Sequence, residues 1–293
     1  MKSKPLIGFI GQGWVGKNCA DDFEKRGYKV VRYAKEKPYI KNKSRIKDCD
    51  IVFIAVPTPT LPSGFDYSVI KKVLPLVGGG KIAVVKSTVM PGVTEKLQEL
   101  FPDIFVLHSP EFLTEATAAY DAMHPSRNIV GIPRETPEYR EKALMVQTVL
   151  PKAPHVVTIP SRDAELIKYG ANCWFYFKVV YVNMLHDLAN ALGGDWSIIR
   201  DGLVSDPRIG RTHLDPVHKS GRGAGGHCFI KDFATFARMY PEHVPQDALG
   251  IELLKLVEKK NIDFMLSTKK DLDLLSGVYG PQVIKRKTQK YSK

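Results

Sequence analysis

The sequence predicts an α/β protein: an N-terminal parallel sheet followed by a second, all-helical dimerisation domain built on one long helix. In the first half, short runs of β-branched residues alternate with helix-favouring stretches, which is the order of βαβ units and of a mainly parallel sheet. In the second half, one helical stretch from Ser161 to about Leu192 is apolar around most of its circumference. A helix of that kind must be buried on several sides.

The predicted strands cover residues 6–10, 29–33, 51–56, 81–86, 104–107 and 128–132. Ser161 is a suitable N-cap for the long helix, and Gly193 with Gly194 ends it. Further helices are predicted over about residues 195–204, 229–240 and 246–266. These elements divide the chain into a sheet domain (1–160), a helical domain (161–270) and a flexible basic tail (271–293).

Composition and charge restrict the class of protein. The 293 residues are 44% hydrophobic and 25% charged, which suits a globular chain with a sizeable core. The longest apolar runs are too short for a bilayer span or a signal peptide, and the four cysteines form no C-x-x-C pair, so a cytoplasmic protein without a disulfide framework is expected. Five of the twelve excess positive charges fall in the last thirteen residues, so neither nucleic acid nor membrane is an expected partner.

A glycine motif directly after the first predicted strand predicts a dinucleotide site. Gly11, Gly13 and Gly16 form a G-x-G-x-x-G string, with Trp14 and Val15 between them, at the point where a helix begins. The first glycine permits the tight turn, the second admits the pyrophosphate, and the third lets the helix pack on the strand. The sheet domain is therefore expected to be a Rossmann-type domain that binds its anion at a helix N-terminus.

The acid that usually holds the adenosine ribose is missing from the end of the second strand. It is expected about 20 residues after the motif, where this chain has Ala34. Glu36 is a possible substitute from a shifted position, whereas Arg32 and Lys35 favour the 2′-phosphate of NADP. NAD is the expected cofactor and NADP the alternative.

Polar side chains recur along one side of the long helix, at spacings of three, four or seven: Glu165, Lys168, Asn172, Asn183 and His186, with Val179 among them. Polar groups on an apolar helix need partners, because an unpaired buried group costs about 1–3 kcal/mol. Two interpretations stay open here. One is a structural hydrogen-bond network at the core of a dimer, and the other is a substrate-facing stripe in which Lys168 donates to an oxygen.

The segment 223–232 is the most informative of the chain. Three glycines allow the backbone to approach a ligand, and Cys228 follows at the start of a helix, where positive partial charge favours a thiolate. Lys231 and Asp232 come one turn later. This setting favours a reactive cysteine over a buried structural one.

Seven strings along the chain resemble, in order, those of the UDP-glucose/GDP-mannose dehydrogenase family, the nucleotide-sugar 6-dehydrogenases. They are G-Q-G-W-V-G at 11–16, A-V-P-T-P at 55–59, K-S-T-V-M-P-G at 86–92, S-P-E-F-L-T-E at 109–115, A-E-L-I-K-Y-G-A-N at 164–172, D-P-R-I-G at 206–210 and G-G-H-C-F-I-K-D at 225–232. The resemblance implies NAD-dependent oxidation of the 6-hydroxyl of a UDP-glucose-like sugar to a uronic acid. Cys228 would capture the aldehyde as a thiohemiacetal, a second hydride transfer would give a thioester, and water would release the product.

The same resemblance assigns roles to the other catalytic candidates. Lys168 matches the lysine that stabilises developing oxyanions, with a further hydrogen bond from Asn172. Asp232 matches the acid paired with that lysine and with water. Thr88 matches the threonine that positions the water, and Glu111 the glutamate of general acid/base work and thioester hydrolysis.

The resemblance also implies binding residues and a homodimer formed through the long helix. The cofactor contacts are Gly11, Gly13, Trp14, Val15, Gly16, Pro57, Thr58, Thr88, Glu115 and Lys231. The contacts to the nucleotide-sugar substrate are Phe112, Leu113, Lys168, Asn172, Arg208, Gly225 and Phe229, with Arg208 reaching across the dimer.

The chain departs from the family pattern in several places. Ala224 stands where an aromatic residue is usual, Ile230 replaces a proline, and His227 replaces a small residue beside the thiol. The segment 35–50 is shorter than usual. The chain is expected to be a compact form without the third, C-terminal UDP-binding domain, so that the central domain or a partner binds most of the substrate.

Three other functions compete with this reading. His213, His218 and His227 have spacings of five and nine that fit no common zinc pattern, so no metal is expected. A two-electron β-hydroxyacid-type dehydrogenase shares the Rossmann domain and the helical lysine and asparagine, but it has no role for Cys228. The third alternative is a catalytically degenerate dimer that binds a dinucleotide or a nucleotide sugar.

Overall fold

The structure, a computed structural model, describes residues 4–285. The chain divides into two compact units: residues up to Thr58 together with Asp66–Lys168, and Pro59–Phe65 together with the residues from Tyr169 onwards. The division falls inside the long helix, whereas the sequence predicted it at residues 160/161. The short segment 59–65 joins the second unit, which the sequence did not predict.

The strands are β1 Ile7–Ile10, β2 Val30–Tyr33, β3 Ile51–Ile54, β4 Thr60–Leu61, β5 Gly64–Phe65, β6 Ile82–Val85, β7 Phe105–His108, β8 Arg127–Ile132, β9 His155–Pro160, β10 Val217–His218 and β11 Gly221–Arg222. The α-helices are α1 Trp14–Lys25, α2 Ser68–Val73, α3 Val93–Leu100, α4 Ala118–Met123, α5 Pro137–Val149, α6 Ser161–Ala191, α7 Trp196–Val204, α8 Gly226–His243, α9 Ala248–Thr268, α10 Leu272–Tyr279 and α11 Gln282–Lys285. Short 3₁₀ segments cover Tyr39–Asp48, Leu74–Leu76 and Glu115–Thr117.

The first unit is built on a seven-stranded sheet in the order β2-β1-β3-β6-β7-β8-β9. Every pairing is parallel except that of β7 with β8, so β8 and β9 run opposite to the other five strands. The six predicted strands are therefore confirmed, and the Rossmann-type fold with them. The sequence analysis missed β9, although its residues 156–159 form a β-branched run; as an edge strand, β9 is only partly buried.

The central strands form because their sequences are short apolar runs, buried on both faces of the sheet. All residues of β1, β3 and β6 are buried, which is the pattern of parallel strands covered by helices on two sides. Phe9, Phe23 and Phe53 meet beside the sheet, with ring centroids 5.1–5.4 Å apart. Such pairs contribute about 0.5–1.5 kcal/mol each beyond their burial, and they fix α1 on β1 and β3.

The second unit is a helical core made by the later part of α6 with α8 and α9. Tyr176 of α6 stacks on Phe233 of α8 with centroids 3.8 Å apart and planes 6° from parallel. Phe264 of α9 belongs to the same buried cluster. Within residues 4–285, no helix, α6 included, has both the length and the apolar character needed to cross a membrane.

The predicted flexible tail from residue 271 is wrong for residues 272–285. These residues form α10 and α11, and Leu275, Val278 and Val283 are buried against Ile230 and Met265. The reason is visible in the apolar residues of α10, which recur at helical spacing and give it a face to bury. Residues 286–293, which hold four of the five tail cations, lie outside the described residues.

Two of the polar residues on α6 serve packing rather than chemistry. Glu165 is fully buried and accepts hydrogen bonds from Gly92 N at 2.6 Å, Thr94 N at 2.8 Å and Thr94 Oγ1 at 2.5 Å, so it caps α3. Burial raises the pKa of Glu165 to about 7. Asn183 accepts from Arg222 Nε at 2.9 Å inside the second unit. These two residues therefore belong to structural hydrogen-bond networks within the chain; the predicted dimer core stays a prediction.

We expect Glu165→Ala to lower the free energy of unfolding by about 3 kcal/mol, because three donors at the start of α3 lose their acceptor. Urea denaturation measures this loss. Glu95→Ala is the matched control, since Glu95 pairs with Arg162 across the same two helices but in an exposed position, and its loss costs less than about 1 kcal/mol. Equal losses in the two variants would contradict the capping role.

Candidate active site

The cofactor crevice lies at the carboxyl ends of β1 and β3. These strands neighbour each other although β2 lies between them in sequence, so the winding of the sheet reverses here, and ligands of doubly wound sheets bind at such a point. The glycine motif follows β1 directly. Gly11 has φ +92°, and a Cβ there would lie 2.1 Å from the carbonyl oxygen of Ala55. Only glycine permits this turn.

The rest of the motif leaves room for a dinucleotide. A Cβ on Gly16 would lie 2.1 Å from Gly11 O, which explains the close packing of α1, whereas a Cβ on Gly13 would meet no atom of the described residues within 4 Å. Among the described residues, no side chain caps the N-terminus of α1 and no acid lies in its first turn. Trp14 begins the helix and is 40% exposed. These features fit a bound pyrophosphate.

The residues that follow β3 and those that follow β6 lie at the same edge of the sheet and are hydrogen-bonded to each other. Ser87 donates to Val56 O at 2.7 Å and accepts from Val56 N at 2.9 Å, and Thr58 Oγ1 donates to Thr88 O at 2.8 Å. The residues after β3 are thereby tied to those after β6. The structure thus brings the predicted residues Pro57, Thr58 and Thr88 together beside the crevice.

The end of β2 has Ala34 at the position expected for the ribose acid, and its cation Arg32 is already paired. Ala34 is buried, and Lys35 and Glu36 are exposed. Arg32 pairs with Asp21 at 2.7 Å and with Glu24 at 2.8 Å. Its charge is already neutralised by α1, so Arg32 does not present a free cation to a 2′-phosphate.

Two catalytic candidates of the first unit, Lys168 and Glu111, form a buried ion pair. Lys168 Nζ lies 3.1 Å from Glu111 Oε1, and the two side chains are 6% and 9% exposed. The other carboxylate oxygen of Glu111 accepts from Leu113 N at 2.7 Å. This pair therefore holds the predicted substrate segment 111–113 beside α6.

The ring of Phe112 contacts two cations. Lys168 Nζ is 5.5 Å from its centroid and the Arg127 guanidinium is 3.7 Å away. Arg127 was missed by the sequence analysis, because no motif links it to Phe112. Glu115 lies in the exposed 3₁₀ segment Glu115–Thr117 that follows.

The second unit assembles a separate set of candidates around Asp232, which is 1% exposed. Asn172 Nδ2 donates to Asp232 Oδ2 at 2.5 Å, and Lys231 Nζ donates to Asp232 Oδ1. Thr60 of the short β4 strand donates to Lys231 O at 3.0 Å. Both oxygens of Asp232 thus have donors within the second unit, and the predicted pairing of Asp232 with Lys168 stays a prediction.

Cys228 lies in the first turn of α8, which begins at Gly226, three residues earlier than predicted. Its side chain is half-buried, and the neighbouring His227 is exposed. Within the described residues, which include all four cysteines, the protein has no disulfide and no group of three or more side chains suited to a metal ion.

Residues 221–226, here called the glycine strap, lead into α8. A Cβ on Gly223 would lie 2.9 Å from Asn261 Oδ1, and one on Gly225 would lie 2.2 Å from Asp271 Oδ2. The structure thus gives these glycines a packing reason besides the predicted approach to a ligand. Ala224 is 1% exposed, and its position leaves no room for the aromatic residue expected from the family.

The remaining substrate candidates differ in their surroundings. Phe229 packs in an aromatic cluster, with its ring centroid 5.5 Å from that of His213 and 6.5 Å from that of Phe175. Arg208 is on the surface, with an 88% exposed side chain paired with Asp206 at 2.6 Å. The exposed position suits the predicted contact across a dimer, which stays a prediction.

Comparison with known proteins agrees with the resemblance seen in the sequence. Residues 35–148 match the NAD binding domain of the UDP-glucose/GDP-mannose dehydrogenase family, and residues 162–262 match its central domain. NAD is the cofactor of the matched domain, as predicted.

Individual proteins give the same result. The chain is 32% identical to UDP-glucose 6-dehydrogenase TuaD of Bacillus subtilis, covering 64% of this chain and 42% of that protein. It is 28% identical to the UDP-glucose 6-dehydrogenase of Rickettsia felis, covering 87% and 62%. The chain therefore spans less than two thirds of the length of these relatives.

Among solved structures, a UDP-glucose dehydrogenase of the archaeon Pyrobaculum islandicum superposes with a TM-score of 0.75 at 26% identity, covering 94% of this chain and 71% of that one. The two matched domains together span most of this sequence. The crevice, the buried polar pairs and these matches identify the chain as a member of the UDP-glucose/GDP-mannose dehydrogenase family.

Proposed function

We propose that this chain oxidises the 6-hydroxyl of a nucleotide sugar, UDP-glucose or a close relative, to the carboxylate of a uronic acid. The observation that carries the proposal is the position of Cys228, in the first turn of α8 where the family has its thiol nucleophile. A two-electron dehydrogenase has no use for that thiol. A four-electron oxidation needs it, because the aldehyde formed midway must be held until it is oxidised again.

The crevice after β1 and β3 would hold the cofactor through Gly11, Gly13 and the uncapped N-terminus of α1, with Pro57 and Thr58 on the opposite side. NAD bound there supplies the hydride acceptor. The packing of Gly16 on Gly11 keeps the helix end close to the strand, so that the backbone N–H groups face the anion.

The Lys168–Glu111 pair suits proton transfer and oxyanion binding. A buried ammonium stabilises an alkoxide more strongly than a neutral donor does, and Glu111 beside it accepts the proton that the hydroxyl releases. Asp232 orients the amide of Asn172 for a further hydrogen bond to the sugar oxygen. Within its own unit, each of these groups is held by a partner.

Cys228 then acts on the carbonyl. Its sulfur adds to the aldehyde carbon and the carbonyl oxygen takes a proton, which gives a thiohemiacetal. The second oxidation moves a hydride from that carbon to a second NAD and releases a proton from the oxygen, leaving a thioester. A water molecule positioned by Thr88 attacks the thioester, the carbon–sulfur bond breaks, and the carboxylate leaves with the thiol restored.

Exposed apolar residues on α6 support a homodimer through this helix. Trp174, Tyr181, Met184 and Leu188 are 66%, 63%, 51% and 55% exposed. They follow one another at spacings of seven, three and four, which is the repeat of a helix–helix seam. In such a dimer the exposed Arg208 would be available to the partner's substrate.

The stoichiometry of the wild-type protein and of Cys228→Ala tests the proposed chemistry. We expect two NADH per UDP-glucose from the wild type, and a fall of about a thousandfold or more in uronate formation in Cys228→Ala. Cys49→Ala is the control, since burial raises the pKa of Cys49 to about 11 and keeps it an inert thiol. If one NADH forms per sugar and Cys228→Ala has no effect, the β-hydroxyacid type is favoured. If no NADH forms with any sugar, the degenerate binding protein is favoured.

We expect Gly13→Ala to weaken NAD binding by about tenfold without loss of stability. The new methyl group meets no described protein atom within 4 Å, so it occupies space left for the ligand. Isothermal titration measures the dissociation constant. The control is Gly202→Ala in α7, where an added Cβ also meets no described atom within 4 Å; it should bind NAD like the wild type. Equal NAD affinity in the two variants would contradict the binding of the dinucleotide in this crevice.

The double variant Trp174→Glu with Tyr181→Glu should sediment as a monomer at concentrations where the wild type is a dimer, because it places two charges in the α6 seam. Leu249→Glu on α9 is the control, as Leu249 is 80% exposed and lies outside that seam. A dimer that survives the double variant, or a monomeric wild type, would contradict the proposed interface.

A further inference from the structure

The glycine strap is bound along its length by side chains from the end of α9 and the residues after it. Arg222 N donates to Thr268 Oγ1 at 3.0 Å. Asn261 binds both backbone polar groups of one residue, accepting from Ala224 N at 2.6 Å and donating to Ala224 O at 3.0 Å. These bonds fix the middle of the strap to α9.

Lys270 and Asp271 hold the two ends of the strap. Lys270 Nζ donates to Gly221 O at 3.2 Å and to Gly223 O at 2.8 Å, and Asp271 Oδ2 accepts from Gly226 N at 2.7 Å. Gly226 is the first residue of α8, the helix that carries Cys228 in its first turn. The carboxylate therefore determines where this helix begins.

Lys270 and Asp271 bind the strap although burial, helix capping and backbone conformation at this point are each unfavourable. Lys270 is only 4% exposed, although a buried ammonium is costly, and burial lowers its pKa. Asp271 is the N-cap residue of α10, yet its carboxylate does not cap that helix and bonds to α8 instead. Lys269 and Asp271 both have positive φ, at 57° and 48°, which non-glycine residues seldom adopt.

We propose that Lys270 and Asp271 are positioning residues for the nucleophile: they hold the glycine strap so that α8 begins at Gly226 and Cys228 faces the bound sugar. The inference rests on the proposed function for its catalytic consequence. The hold on the strap itself is independent of any activity.

Hydrogen exchange read by peptide mass spectrometry tests the hold on the strap directly. In Lys270→Met and Asp271→Ala, the amides of residues 222–226 should exchange about tenfold faster than in the wild type, because their local opening becomes easier. Lys269→Met is the matched control, because it makes the same substitution at the exposed residue next to Lys270, and Lys269 has positive φ as Asp271 does. Wild-type exchange in both test variants would overturn the proposal.

Asp271→Asn removes the charge of the side chain but keeps its size, and it replaces the alanine variant in the test if that variant does not fold. It keeps an oxygen that can accept from Gly226 N, so its strap should exchange like that of the wild type. If the strap amides of Asp271→Asn exchange as fast as those of Lys270→Met, the hydrogen bond to Gly226 does not hold the strap. That result would overturn the role of Asp271.

Steady-state kinetics with UDP-glucose and NAD tests the catalytic consequence. Asp271→Ala should lower kcat by about tenfold with KM within about threefold, because the sugar still binds but the thiol is misplaced. Asp271→Asn should recover kcat to within about threefold of the wild type. An unchanged kcat in a variant whose strap exchanges faster would overturn the positioning role. A wild type that reduces no NAD would refute the proposed function instead, and the exchange result would still decide whether these residues hold the strap.

Discussion

The polar groups buried along α6 impose the constraint on which both units depend, since each of them must find a partner away from water. In the first unit, Glu165 caps α3 and Lys168 pairs with Glu111. In the second unit, Asn172 bonds to Asp232 and Asn183 to Arg222. Within the first unit α6 thus fixes the start of α3 and the segment 111–113, and within the second unit it binds Asp232.

The sequence alone predicted the parts of the fold and site that depend on local pattern. The central strands are short apolar runs, and the glycines of the 11–16 motif follow β1 in the predicted setting. Strand β9 was missed although residues 156–159 form a β-branched run. Helix α10 was predicted as tail because basic residues follow it in the sequence, although its own apolar residues form one face.

Other parts of the site could not be predicted because they depend on contacts between distant residues. Asn261, Lys270 and Asp271 bind backbone atoms that lie 37 to 49 residues away in sequence, and no local spacing reports such a contact. The partners of the polar residues on α6 likewise lie on other elements: Glu165 binds Thr94, Lys168 pairs with Glu111 and Asn172 with Asp232. The substrate-facing role of Lys168 stays a prediction.

The central claim is that Cys228 holds the substrate covalently between two oxidations. Rapid quenching of the protein during turnover with UDP-glucose and NAD, followed by digestion and mass measurement of the Cys228 peptide, tests it most directly. The account predicts a sugar-nucleotide adduct of thiohemiacetal or thioester mass on Cys228, which disappears as the uronate is released. Uronate formation with Cys228 unmodified throughout, or with the adduct on another cysteine, would contradict the account.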